Sequence, residues 1–155
     1  MSNILESALR ITAFGPQFKS VLKTKLRVKG YLDTEIDNVI IKLESLELLD
    51  DFKVTKLYVT TQVKNKFYGP NLIRAKLFEK GVDKEIVESI IKEIFFDIEE
   101  ETDVCLKCFN KFITEKEKSN TSKIYRKLQS KGFSMRAIKN VVATQLDIEV
   151  DDDIR

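Results

Sequence analysis

The feature that most constrains this chain is a short string that recurs at a fixed interval. Lys25-Leu26-Arg27-Val28-Lys29-Gly30-Tyr31 is followed by Lys76-Leu77-Phe78-Glu79-Lys80-Gly81-Val82 and by Lys127-Leu128-Gln129-Ser130-Lys131-Gly132-Phe133. The three glycines are spaced 51 residues apart, with no insertion between copies. Six residues after each glycine stands an aliphatic residue, Ile36, Val87 or Ile138. Two more follow nine and ten residues after it: Val39/Ile40, Ile90/Ile91 and Val141/Val142. A fixed period of this length marks a chain built of tandem units, and a unit this small buries its apolar face by packing on its neighbours.

Within each unit the apolar spacing is helical. Ile4, Leu5, Ala8, Leu9 and Ile11 predict a first helix over Ser2 to Phe14, which Gly15-Pro16 ends. Pro16 suits the first turn of a second helix carrying Phe18, Val21, Leu22 and Leu26, which stops at Gly30. Asp33 or Thr34 is expected to cap a third helix with Ile36, Val39, Ile40, Leu43 and Leu46 on its buried face. The plan repeats after Asp50-Asp51: a helix through Val54, Leu57, Tyr58 and Thr61, a Gly69-Pro70 link, then Leu72, Ile73 and Leu77. Asp83 caps a helix with Ile86, Val87, Ile90, Ile91, Ile94 and Phe95. The third copy opens after Glu99-Glu100-Glu101 and Asp103. It buries Val104, Cys105, Cys108, Phe109 and Phe112, and Ser134 caps its last helix. No stretch alternates as a strand does. The expected fold is all-α: three tandem three-helix repeats, residues 1–48, 49–98 and 99–148, forming an elongated, curved helical array with an acidic tail at 149–155 that frays.

Charge is plentiful and segregated. Charged residues make up 34% of the 155, yet the net charge is only +2. In each second helix two lysines four apart share an edge beside the buried stripe: Lys25/Lys29, Lys76/Lys80 and Lys127/Lys131. Lys19, Lys23 and Arg27 extend the first edge, Arg74 the second, and Lys123 and Arg126 the third. Arg136 and Lys139 add to the last unit, whose third helix lacks the acids of Asp33, Glu35, Asp37, Glu44, Glu47 and of Asp83, Glu85, Glu88, Glu93. Any one lysine near a helix C-terminus is explained by the helix dipole. A basic ridge repeated along an array suits a periodic or extended partner, either nucleic acid or a helical protein filament. The candidate partner-binding residues are therefore Lys25, Lys29, Arg74, Lys76, Lys80, Arg126, Lys127, Lys131, Arg136 and Lys139.

Catalytic signals are weak. The chain has no His, and Cys105-Leu106-Lys107-Cys108 has no second pair to complete a zinc shell; the two cysteines read as core. There is neither a phosphate-binding Gly-Lys-Ser/Thr loop nor a dinucleotide fingerprint. Neither an enzyme nor a cofactor nor a metal is expected. No apolar run approaches the ~20 residues that cross a bilayer. Glu6 and Arg10 break the apolar character a cleavable signal needs, so a soluble chain without membrane contact is expected. One close pair of cysteines and no disulfide framework point to a reducing cytoplasm, and a monomer is expected.

In their order and spacing, four strings resemble the RecX family of bacterial regulatory proteins. They are Lys25-Leu26-x-x-Lys29-Gly30-Tyr31, Leu48-Leu49-Asp50-Asp51, Gly69-Pro70-x-x-Ile73-x-x-x-Leu77-x-x-Lys80-Gly81-Val82, and Leu128-x-x-Lys131-Gly132-Phe133-Ser134-x-x-x-Ile138. The likeness extends from about Phe18 to Leu146. Three departures stand out: Phe18-Lys19-Ser20-Val21-Leu22 lacks a capping box, Val54 and Thr55 replace aromatic and Ala positions, and lysine often replaces arginine. The resemblance implies three tandem three-helix repeats. It also implies a protein that binds the RecA recombinase filament, inhibits its ATPase and strand exchange in recombination and repair, and in some members contacts DNA. The alternative from the residues alone is a helical module acting directly on single- or double-stranded DNA.

Overall fold

The computed structural model describes residues 3–148, and all regular structure among them is helical. Helices α1 (Ile4–Ala13), α2 (Lys19–Val28) and α3 (Asp33–Ser45) form the first triplet. Helices α4 (Asp51–Lys66), α5 (Pro70–Glu79) and α6 (Lys84–Ile94) form the second. Helices α7 (Ile98–Phe112), α8 (Thr121–Ser130) and α9 (Met135–Leu146) form the third, with a 3-10 turn at Glu117–Ser119 before α8. The acidic tail expected at 149–155 lies outside the described residues.

The recurring string has one structural meaning in all three places. The N–H of each glycine bonds the carbonyl three residues back: Gly30 to Arg27 at 2.9 Å, Gly81 to Phe78 at 3.0 Å, Gly132 to Gln129 at 2.9 Å. The next N–H reaches the carbonyl of the repeated leucine: Tyr31 to Leu26 at 3.3 Å, Val82 to Leu77 at 3.1 Å, Phe133 to Leu128 at 3.3 Å. This double closure satisfies carbonyls that the helix end would leave unpaired, and it needs a left-handed residue, hence glycine. The residue after the glycine turns inward, so Val82 and Phe133 are buried and Tyr31 packs on the core.

Among the described residues, 3–58 together with 77–87 make one compact unit, and 59–76 with 88–148 make another. The first unit closes over Ala8, Leu22, Leu26, Ile36, Val39, Ile40, Leu43 and Leu49. Leu22 and Leu26 lie on one face of α2 and are fully buried, each contributing about 1.5–3 kcal/mol. The second unit closes over Val104, Cys105, Cys108, Phe109, Ile124, Leu128, Phe133, Ile138, Val141 and Val142 from α7, α8, α9 and the turn before α9. A buried carboxylate fastens α7 to the start of α9, since Glu101 accepts from the Ser134 N–H at 2.6 Å and from its hydroxyl at 3.0 Å.

Several local expectations are corrected. Pro16 is not in the first turn of α2, which starts at Lys19 with Phe18 as N-cap; Pro70, by contrast, opens α5. Asp33 does not cap α3 but is its first residue. Leu32 is the N-cap, and Glu35 reaches back to its N–H at 3.0 Å. Leu46 lies beyond α3 and is 55% exposed. In α4 the buried positions are Thr55 and Val59 while Leu57 is exposed, a rotation of the expected face. Glu99, Glu100 and Glu101 lie inside the first turn of α7, where Asp97 is the cap, accepting from the Glu99 and Glu100 N–H groups at 3.0 Å. The caps at Asp83 and Ser134 are present, accepting from Glu85 at 2.9 Å and Ala137 at 3.3 Å.

In each unit the start of a second helix meets a later Lys-Gly turn, through backbone groups in the second unit and through a side chain in the first. In the second unit the N–H of Gly69 bonds the Lys131 carbonyl at 2.8 Å, and that of Asn71 bonds the Gly132 carbonyl at 2.9 Å. A Cβ on Gly69 would lie 2.5 Å from the Gly132 carbonyl carbon, and one on Gly132 would lie 2.5 Å from Leu72 Cβ. Only two glycines allow this approach. In the first unit the Ser20 hydroxyl donates to the Lys80 carbonyl, and a Cβ on Gly81 would sit 3.1 Å from Ser20 Cβ.

Candidate partner-binding site

Because the ridge was predicted from spacing alone, its cations must be sorted by what each one touches. Along α2 the flanking basic residues pair with acids of α3: Lys19 with Glu44 at 2.7 Å, Lys23 with Asp37 at 2.8 Å, Arg27 with Asp33 at 2.6 Å. The Glu44 hydrogen bond raises the Lys19 pKa, and the Lys23 hydrogen bond holds Asp37 below the usual carboxylate range. The acidic third helix thus neutralises those members of the edge. Arg74 is matched in the same way, to Glu88 at 2.6 and 3.3 Å, with Asn71 at 2.9 Å. Exposed pairs of this kind contribute little to stability.

Lys127 is also engaged. Its ammonium donates to the Phe112 carbonyl at the end of α7 at 2.6 Å and lies 3.3 Å from Glu117. It therefore satisfies a helix C-terminus. Glu117 accepts from the Thr114 N–H at 2.9 Å, and this bond, with Lys123 and Lys127, lowers its pKa to about 2.

A different group of lysines sits on aromatic rings in the second unit. Lys66, Lys76 and Lys131 place their ammonium groups 5.7, 5.7 and 5.6 Å from the centre of the Tyr68 ring. Lys131 is also 4.4 Å from the centre of Phe112, and Lys111 is 5.8 Å from Phe112 and 5.3 Å from Phe67. By the triangle inequality no two of the three around Tyr68 are more than about 11 Å apart. Ring contacts offset part of their mutual repulsion, each by about 0.5–1 kcal/mol. Among the described residues none of these four lysines pairs with a carboxylate. The result is a concentrated, uncompensated positive surface with half-buried aromatic rings set in it, suited to an anionic partner.

The other predicted residues fall outside this cluster. Lys80, in the first unit, lies 5.9 Å from the Phe18 ring centre and 5.6 Å from that of Tyr58. Lys25 is exposed and donates to Gln17 at 2.9 Å, while Lys29 is the exposed C-cap of α2. Arg126 and Arg136 are exposed on α8 and α9, and Lys139 is half-buried on α9. The lysine spacing includes Lys76 and Lys131 of this cluster but not Lys66, Tyr68, Lys111, Phe67 and Phe112. The available signal was the basic and aromatic run Lys66-Phe67-Tyr68 before Gly69-Pro70. Nothing local shows that Phe112 and Lys131 join it.

Chemistry requiring a reactive group has little to draw on. Both cysteines are free and buried. Burial pushes the Cys105 thiol well above its ordinary value and that of Cys108 to about 11, so neither is a ready nucleophile. No grouping of three or more potential metal ligands occurs among the described residues. A groove of about 550 Å³ in the first unit is lined by Lys19, Lys23, Asp37, Glu44 and Asp51, among others. Its lysines are already paired, and Asp51, whose pKa burial raises, accepts from the Lys19 N–H at 2.7 Å. No helix among the described residues is long and apolar enough to cross a membrane.

Fold and turns together define an all-α helical repeat array with a basic, aromatic-studded surface. The family model described as RecX, second three-helix domain, matches residues 50–90. The regulatory protein RecX of Finegoldia magna is 34% identical over 122 residues, covering 76% of this chain and 60% of that protein. Those of Listeria monocytogenes and Clostridium beijerinckii are 28% and 29% identical, each over 95% of this chain and over 55% and 70% of their own lengths. The crystal structure of RecX from Lactobacillus salivarius superposes with a TM-score of 0.77 at 25% identity, covering 93% of this chain and 94% of that one. The chain belongs to the RecX family. It spans between about half and two thirds of the length of the relatives from Finegoldia and Listeria.

Proposed function

We propose that this chain is a non-enzymatic regulatory protein that binds the RecA recombinase filament and lowers its ATPase and strand-exchange activity. One observation carries the reading: Lys66, Lys76, Lys111 and Lys131 converge on Tyr68, Phe67 and Phe112 with no carboxylate among the described residues to neutralise them. Membership of a family whose relatives are named regulatory proteins supports it. The cluster docks on an acidic face of the filament, and Lys25, Lys29 and Lys80 on the repeated turns add electrostatic steering.

The test is DNA-dependent ATP hydrolysis by RecA with increasing amounts of the purified chain. Hydrolysis is expected to slow at near-stoichiometric amounts. The Lys66→Glu, Lys76→Glu, Lys111→Glu, Lys131→Glu variant, shown to be folded by circular dichroism, is expected to have no effect. Unchanged hydrolysis with folded wild-type protein overturns the proposal. A second reading is favoured by the Tyr68 ring itself, since an aromatic among lysines also suits a single strand of nucleic acid. It predicts tight DNA binding without recombinase, weakening steeply as salt is raised.

A further inference from the structure

The four lysines of the basic cluster all belong to the second unit, and each stands at a helix end. Lys66 and Lys76 are in the last turns of α4 and α5, Lys111 is in that of α7, and Lys131 caps α8. The partial negative charge of a helix C-terminus explains a lysine at each place. That charge is only about half a unit, so the four ends offset about two of the four positive charges and leave an excess of about +2. Nearby groups do not remove it. Lys127 also donates to the Phe112 carbonyl at the end of α7, and Glu117 is already paired with Lys123 and Lys127.

The donors of these lysines are unspent. An ammonium group has three N–H donors, and among the described residues none of the four lysines gives one to a protein acceptor. Lys19, Lys23 and Lys127, by contrast, each donate to a carboxylate or a carbonyl. Every ring in the cluster also has an ammonium over it: Lys66, Lys76 and Lys131 over Tyr68, Lys131 and Lys111 over Phe112, and Lys111 over Phe67. A flat base would have to displace a cation before stacking there. A small polyanion needs only the donors, which lysine presents to phosphate oxygens as rotatable point charges. The three cations around Tyr68 lie within about 11 Å of one another, close to the ~8 Å screening length at physiological salt, so one anion among them feels all three. A lone carboxylate leaves part of the excess uncompensated, whereas linked phosphates match it along one flexible chain.

We propose that the cluster binds a short chain of linked phosphates, either inorganic polyphosphate or the tail of a nucleoside triphosphate, and that it reads the phosphates and not the nucleoside. Lys66, Lys76 and Lys131 take the chain around Tyr68, and Lys111 adds its charge from the Phe112 side. The inference rests on the same lysines as the proposed function and gives that surface a regulator. A bound phosphate chain occupies the cations that a larger anionic partner needs, so the two compete.

Isothermal titration calorimetry of the full chain, with metal ions chelated and no recombinase present, tests it. Tripolyphosphate should bind more tightly than pyrophosphate, and pyrophosphate more tightly than orthophosphate. ATP should bind no more tightly than tripolyphosphate, and adenosine should not bind. Lys66→Met with Lys76→Met should weaken tripolyphosphate binding by about tenfold or more. Lys42→Met with Lys53→Met removes the same net charge from exposed positions of the first unit and should change binding by about twofold or less, both variants keeping wild-type helicity by circular dichroism. Tripolyphosphate that fails to bind the wild type, equal losses in the two variants, or ATP binding about tenfold tighter than tripolyphosphate overturns the proposal. A chain that binds tripolyphosphate but leaves RecA hydrolysis unchanged overturns only the function proposed above, and the reverse result overturns only this inference.

Discussion

The turn at Lys29-Gly30 and the turn at Lys131-Gly132 are written in nearly the same residues and close their helices with the same two hydrogen bonds, yet they live in different surroundings. Gly30 is open to solvent, and Lys29 is an exposed cap. Gly132 is buried against Gly69 and Leu72, and the lysine before it is half-buried over Phe112 and beside Tyr68. The difference teaches that the string encodes how a helix ends. Whether its glycine is also a packing requirement, and its lysine also part of a binding surface, is decided by what packs against it.

Alanine at the two glycines gives the largest expected contrast. Gly132→Ala adds a left-handed Cβ that clashes with backbone, and should lower stability by about 3 kcal/mol or more in urea unfolding. Gly30→Ala meets only the conformational cost, about 1 kcal/mol. Equal losses would break the comparison. The lysines come next. Replacing Lys131 by Met should raise the amount of protein needed to slow RecA hydrolysis by about tenfold, or about 1.4 kcal/mol, while Lys29→Met changes it by about twofold or less. Reversal of that order would move the binding surface to the open turn.

A smaller effect comes from a position where corresponding residues differ in polarity. Thr55 is fully buried with its hydroxyl unpartnered, and 51 residues later stands Leu106. Thr55→Val should raise stability by about 1 kcal/mol in thermal or urea unfolding, and a loss would mean that the hydroxyl is solvated. The smallest effect belongs to Lys25 and Lys127, which also hold corresponding positions. Lys25 bonds a neutral Gln17, whereas Lys127 lies by Glu117. Because the Glu117 pKa falls to about 2 from an ordinary 4.5, its contribution is complete above the ordinary value and fades as pH falls through 2. An NMR titration should place the midpoint near 2, and Lys127→Met should raise it only partly, because the Thr114 N–H is the leading cause.

Much of the scaffold was legible because helix ends are local events. The 51-residue period, the glycine closures and the caps at Asp83 and Ser134 each depend on a few adjacent residues. Errors arose where tertiary contact overrode local preference: Pro16 stays outside α2, Leu57 faces out, and Thr55 takes a buried place. The basic, aromatic cluster was half legible. Spacing picked out Lys76 and Lys131, but it equally picked out Lys127, which meets Glu117, and Arg74 on the same edge meets Glu88. Tyr68, Lys111 and Phe112 belong to the surface only because the fold brings α7 and the turn after α8 beside the link before α5, a nearness no short window contains.

The two cysteines that contribute no reactivity offer something else. Both are fully buried in the second unit, on adjacent turns of α7, with thiols held protonated by burial. A thiol reagent can modify them only in molecules whose α7 has come away from α8 and α9, so the labelling rate in native buffer counts how often that core opens. The chain carries its own clock for breathing motions, and comparing its rate with and without a bound partner would time how firmly that partner holds the unit shut.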